Sequence, residues 1–234
     1  MPKLHARSQP TSKHTIKKQP KPTTVVTKKA AKAAPKKKAM TYSDHKAKWV
    51  NCEKCNLCAT RNKVVFARGS LPCDVLFIVE APGHSENVLG KPMVGPAGKL
   101  IDHIIQVACD KVKTANDEVK WAITNLVSCI PLGDGGNKAL EPDEESIEAC
   151  LPKLYEFIRV AKPQAIVMVG KLAEKHLDPT LITLRGGNAP EANQYVSIDH
   201  PAFILRADIS FKEILIQRAI STVTDLFLDI SLPF

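Results

Sequence analysis

Asp74-Val-Leu-Phe-Ile-Val79, closed by Glu80-Ala-Pro-Gly83, decides the fold class. An apolar run of this length, followed by an acid, a proline and a glycine, reads as a strand buried on both faces that opens into a loop. Downstream, Leu100, Ile101, Ile104, Ile105 and Ala108 recur at helical spacing and predict an amphipathic helix over 97–108. Residues 121–127 read as a second strand, 144–160 as a second helix, and 165–169 as a third strand stopping at Gly170. A short helix over 171–177, a weaker strand over 195–198 ending before His200-Pro201, and a closing helix over 211–229 complete the pattern. Strand and helix alternate, which predicts an α/β sandwich with a mostly parallel central sheet. Sites in such sheets lie beyond the carboxyl ends of the strands. Glu80, Asn125, Gly170 and His200 all fall there, so one pocket is expected to collect them.

The 234 residues carry a net charge of +9, unevenly placed. Residues 1–40 hold 12 of the 33 Lys+Arg and no acid, which leaves 21 basic against 24 acidic residues from 41 onward. This Lys/Pro/Ala-rich stretch has too little apolar surface to offset the entropy of ordering, so a disordered tail over 1–40 and a folded domain over 41–234 are expected. A polycation of this kind suits a tether to nucleic acid, since each neutralised phosphate releases a counterion. A solubilising tail and a targeting peptide are the alternatives, the second disfavoured because transit peptides favour Arg over Lys runs. No stretch approaches the ~20 apolar residues that span a bilayer. No secretory core follows the N-terminus either, so a soluble intracellular protein, cytoplasmic or nucleoid-associated, is expected.

Seven cysteines is an odd count for disulfides. Cys52 and Cys55 form a C-x-x-C pair, while Cys129 and Cys150 flank a Gly/Pro-rich stretch far downstream. Four thiolates brought together by the fold would make a metal or iron-sulfur site, and the residues alone leave zinc and iron-sulfur open. Cys58 could replace one ligand, whereas Cys73 and Cys109, beside apolar segments, read as small buried residues. The loop from Gly90 to Gly98 carries several Gly and Pro residues ahead of a helix, where backbone N–H groups could meet a phosphate or a base.

The order C-x-x-C, Arg61, Val64-Val-Phe66, Glu80-Ala-Pro-Gly83, Gly90-x-Pro-x-Val-Gly-x-Ala-Gly98, Ile123-Thr-Asn125, Cys129, Cys150, Leu184-Arg-Gly186 and His200-Pro-Ala-x-x-Leu-Arg206 resembles the family 4 uracil-DNA glycosylases, the iron-sulfur branch of that superfamily. The resemblance runs over roughly residues 50–207. It implies a three-layer α/β/α fold, a 4Fe-4S cluster on Cys52, Cys55, Cys129 and Cys150, and base excision repair by hydrolysis of the N-glycosidic bond of uracil in single- or double-stranded DNA. It also implies catalytic roles for Glu80 and His200 and base contacts from Ala81, Met93, Asn125 and His200. Pro82, Gly83, Gly95 and Arg206 would meet the DNA. The chemistry suits these residues: bond cleavage leaves a cationic sugar and an anionic base, which a carboxylate on one side and hydrogen-bond donors on the other would stabilise.

Three departures stand out. Met93 occupies a position where the family usually carries a ring that stacks on the flipped base, and a thioether offers less area there. Asn87 replaces a frequent acid, and Ser128 and Ile130 flank Cys129 where basic residues are common in the family. A glycosylase for another modified base, or a catalytically weak DNA-binding member of the fold, are therefore competing expectations. A monomer is the default, with no membrane partner.

Overall fold

The computed structural model describes residues 39–112, 118–133, 138–180 and 192–231. The basic tail up to Lys38 and Leu184-Arg-Gly186 lie outside the described residues. Five strands form one sheet: β1 (Arg68–Gly69), β2 (Val75–Val79), β3 (Trp121–Asn125), β4 (Ala165–Val169) and β5 (Gln194–Ile198). Their order is β1-β3-β2-β4-β5, with β1 antiparallel at one edge and the other four parallel. The helices are α1 (Tyr42–Trp49), α2 (His84–Leu89), α3 (Pro96–Val112), α4 (Glu144–Ala161), α5 (Lys171–Leu177), α6 (Pro201–Arg206) and α7 (Ile209–Ser231).

β2 and β4 are apolar at every position because both faces are covered. Leu76 and Ile78 of β2 pack toward α4 and α5, with Leu154, Ile158 and Leu177. Val75, Phe77 and Val79 pack the other way, toward α3 and α7, with Ile101, Ile105, Val223 and Phe227. This is the expected three-layer arrangement, and burying each such side chain contributes roughly 1.5–3 kcal/mol. Asp74 sets the register at the amino edge, where its carboxylate accepts from the Lys120 backbone N–H at 2.8 Å and from Gln164 Nε2 at 3.3 Å.

Several expected boundaries shift. The second strand ends at Asn125 rather than 127, because Leu126 and Val127 bend away while still donating to the carbonyls of Val79 and Glu80. The first long helix runs on to Val112 and the closing helix spans Ile209–Ser231. Within α4, Asp143 caps the start by accepting from the Ser146 N–H at 2.8 Å, and Lys162 closes the end in a left-handed conformation at φ 52°. The order of strands has a functional consequence. The chain steps from β2 to β3 on one side and later builds β4 and β5 on the other, so the switch point, and with it the expected crevice, lies between β2 and β4.

Candidate active site and thiolate centre

Glu80 leaves β2 and Gly170 leaves β4, one on each side of that switch point. His200 follows β5 and caps α6. A side chain on Gly170 would place its first carbon 3.0 Å from Glu80 Oε1 and 3.1 Å from His200 Cβ. Gly170 also sits at φ +93°, a conformation L-residues rarely adopt, so strain and crowding both demand glycine. The carboxylate and the imidazole thus face each other across bare backbone. They open into a cleft of about 700 Å³ that Arg206, Glu141 and Phe211 also line.

The hydrogen bonding of His200 fixes its chemistry. Its Nδ1 accepts the Ala202 backbone N–H at 3.1 Å. A backbone N–H can only donate, so Nδ1 carries the lone pair and Nε2 carries the hydrogen. Burial, reinforced by the Arg206 charge, pulls the His200 pKa down to about 4. The ring is therefore a neutral donor through Nε2. Glu80 moves the other way: burial pushes its pKa up, the Glu141 charge adds to this, and Arg206 opposes both.

The remaining expected site residues are placed differently. Asn125 is 2% exposed and does not line the cleft, yet its Nδ2 is a buried donor with no hydrogen-bond partner among the described residues. Met93 is also buried and sits at φ 53°, with its carbonyl and that of Pro92 held by Arg68 at 3.2 and 2.8 Å. Gly98 allows this loop to fold onto α3, since a Cβ there would lie 1.9 Å from the Met93 carbonyl oxygen. Ala81 is half-buried and packs toward the α4 face, and Pro82 is buried. One pocket thus gathers Glu80, Gly170, His200 and Arg206 but not Asn125.

A residue with no expected role organises both glycine loops. Glu86 Oε1 accepts from Val94 N–H at 2.8 Å and Gly95 N–H at 3.0 Å, and its Oε2 accepts from Gly83 N–H at 3.1 Å. Glu86 at the third helical position reaches back to the Gly83 N–H, the one half of a capping box that a glycine cap permits, and a Glu three residues after a helix-opening Gly is the signal the sequence offers. Asn87, at the position of a frequent acid, instead uses Oδ1 to accept from the Asn62 backbone N–H at 2.8 Å. Glu86→Gln replaces one of two accepting oxygens by a donor. It is expected to cost about 1–3 kcal/mol in urea unfolding, the penalty of an acceptor lost from a part-buried network.

The four expected ligand cysteines come from three elements. Cys52 and Cys55 sit in the turn after α1, Cys129 follows β3, and Cys150 lies in α4. Cys55, Cys129 and Cys150 pack into one apolar cluster. Burial pushes the Cys55 thiol pKa up and that of Cys129 up to about 11. They are gathered without being closed, since among the described residues no three His, Cys, Asp or Glu side chains stand in metal-holding geometry. The donor set nonetheless fits a soft thiolate-bound group. A buried ammonium without a hydrogen-bond partner among the described residues, Lys153 Nζ, lies one turn after Cys150 on α4, where four thiolates would place compensating negative charge.

Residues 66–222 match the family model described as the Uracil DNA glycosylase superfamily. The chain belongs to that superfamily. A superfamily relative from Saccharolobus solfataricus, "Type-4 uracil-DNA glycosylase", is 35% identical over 54% of this chain and 54% of its own length. One of the same name from Pyrobaculum aerophilum is 36% identical over 54% of this chain and 59% of its own. A third, from Archaeoglobus fulgidus, is 28% identical over 67% of this chain and 79% of its own. The chain thus spans little more than half the length of the first two uracil-DNA glycosylase relatives. Among the described residues, no helix is long and apolar enough to cross a membrane.

Proposed function

We propose that this protein is a DNA repair glycosylase that hydrolyses the N-glycosidic bond of uracil in DNA and leaves an abasic site. The observation that carries the reading is the meeting of Glu80 and the neutral, Nε2-protonated His200 across Gly170 at the switch point of the sheet. Superfamily membership and the names of the relatives support it.

The steps follow from the residues. The target nucleotide leaves the stack at a cost of a few kcal/mol. As the glycosidic bond stretches, positive charge grows on the sugar and negative charge on the base. The Glu80 carboxylate faces the sugar, opposes that positive charge, orients the attacking water and takes its proton as the O–C1′ bond forms and the C1′–N1 bond breaks. The His200 Nε2–H donates to a uracil carbonyl oxygen as charge accumulates there, and a neutral donor gives up no proton it must recover. Asn125 borders a separate narrow cavity, so uracil must pass beyond the cleft to be read: there the amide oxygen would accept from N3–H and the unsatisfied Nδ2 would donate to O4. Cytosine offers neither partner, so the buried Asn125 amide rejects it. Met93 packs over the base in place of a ring, and Arg206 at the mouth of the cleft meets a phosphate.

Cys52, Cys55, Cys129 and Cys150 would hold a 4Fe-4S cluster, with zinc as the rival. Such a group would supply a structural cross-link of the α1 turn, the segment after β3 and α4. Stripping metal from the loaded protein with a chelator is expected to remove about 4 kcal/mol if the site is occupied at a thousandfold over its dissociation constant. Calorimetry paired with iron and zinc analysis checks this. The basic tail would add a salt-dependent, sequence-independent hold on DNA.

Incubation with uracil-containing single- and double-stranded oligonucleotides, followed by alkaline cleavage, tests the function. Breaks confined to uracil positions are expected. Cleavage at another base, or none from metal-loaded protein, rejects the assignment.

A further inference from the structure

Lys153 lies one helical turn after Cys150 on α4, on the same face, and is 3% exposed. Lysine is almost never this buried without a partner. Its Nζ nevertheless makes no hydrogen bond among the described residues. The narrow cavity it lines, with His45, Phe66, Thr124, Asn125, Ser128 and Phe157, has no carboxylate among the described residues. The acid one turn further along α4, Glu156, is already engaged by His45, Lys48 and Trp49. Cys150 lies one turn before it on α4, and Ser128, which lines the same cavity, directly precedes Cys129, so two of the ligand-bearing segments border Lys153.

An isolated buried ammonium is strongly unfavourable unless a negative charge lies close by. Four thiolates around a divalent zinc ion, or around a four-iron cluster in its usual oxidation state, carry more negative charge than the metal cancels. We propose that Lys153 is the internal counter-cation of the thiolate centre, a positioning residue that stabilises the metal-loaded form and destabilises the bare one. The inference rests on the reading that Cys52, Cys55, Cys129 and Cys150 hold a metal.

The proposal predicts effects of opposite sign in the two forms, which packing alone would not give. Full-length wild type, Lys153→Met and Lys153→Arg are compared for metal content, rate of metal transfer to a chelator, and melting temperature before and after stripping. Lys153→Met keeps the chain length and removes the charge. It is expected to release metal about 10- to 100-fold faster, as loss of an outer-shell partner does. It should also melt below wild type when loaded and above wild type when bare. Lys153→Arg, which keeps the charge, should retain metal longer than Lys153→Met. Unchanged release, or a lower melting temperature in both forms, overturns the proposal and leaves the metal site standing. A wild-type protein that takes up neither iron nor zinc overturns both.

Discussion

Glu80→Gln is expected to slow uracil excision by about 10²- to 10⁴-fold, the range of a lost general base, while the protein still folds. The substitution keeps the shape of the side chain at the end of β2 and removes its charge. Glu80 makes no hydrogen bond through its side chain that the fold depends on among the described contacts, and its burial already opposes ionisation. Removing the charge should therefore leave stability unchanged or raise it slightly, so activity and stability move apart. Single-turnover rates beside thermal melts read both. The pH profile adds a second mark. Burial raises the Glu80 pKa above its ordinary value, so the acid limb of the rate should lie above that of an unperturbed glutamate. His200, at about 4, stays neutral through that limb and does not contribute to it. In Glu80→Gln the limb should disappear down to the pH at which His200 itself protonates.

His200→Ala is expected to cost about 10²- to 10³-fold in the excision rate, the loss of one donor aimed at developing negative charge. Its effect on stability depends on pH in a defined direction. The folded pKa of about 4 lies below the ordinary 6.5, so the unfolded chain binds the proton first. The stability tied to neutral His200 is complete above about 6.5 and is lost as pH falls toward 4. His200→Ala should flatten that part of the stability curve. A variant that keeps the slope would place the titration on another group. The same substitution removes the acceptor for the Ala202 N–H, so the start of α6 should fray modestly.

The long elements were legible because their patterns are strong. Val75–Val79 and Ala165–Val169 are apolar at every position because both faces of each strand are buried, and Leu100 to Ala108 keep a helical period because α3 buries one face. The short elements were not. α2 and α6 are six residues each, too brief for a period to emerge, and β1 is two residues long. Their positions come from caps and tertiary contacts: Glu86 reaching back to Gly83, Pro201 entering a helix behind His200, and Gly69 lying against Trp121. In the site, residue identity at strand ends pointed to Glu80, Gly170 and His200, which the sheet order does bring together. Distance from the cleft was beyond reach for Asn125, since a strand end fixes where the backbone stops and not which cavity its side chain serves. In the sequence nothing sets Lys153 apart from the other lysines. Only the packing of α4 against α1 and the segment after β3 makes it a buried charge.

The most direct test measures free uracil released in a single turnover from a uracil-containing strand by the metal-loaded wild type and by the Glu80→Gln/His200→Ala double variant. Circular dichroism and metal analysis confirm that both are folded and loaded. Rapid release by the wild type is expected, with little or none from the double variant. Because the two groups act on one transition state, the loss should be smaller than the product of the single effects. Comparable release by both proteins, or no uracil from loaded wild type, would contradict a catalytic site built from Glu80 and His200 across Gly170.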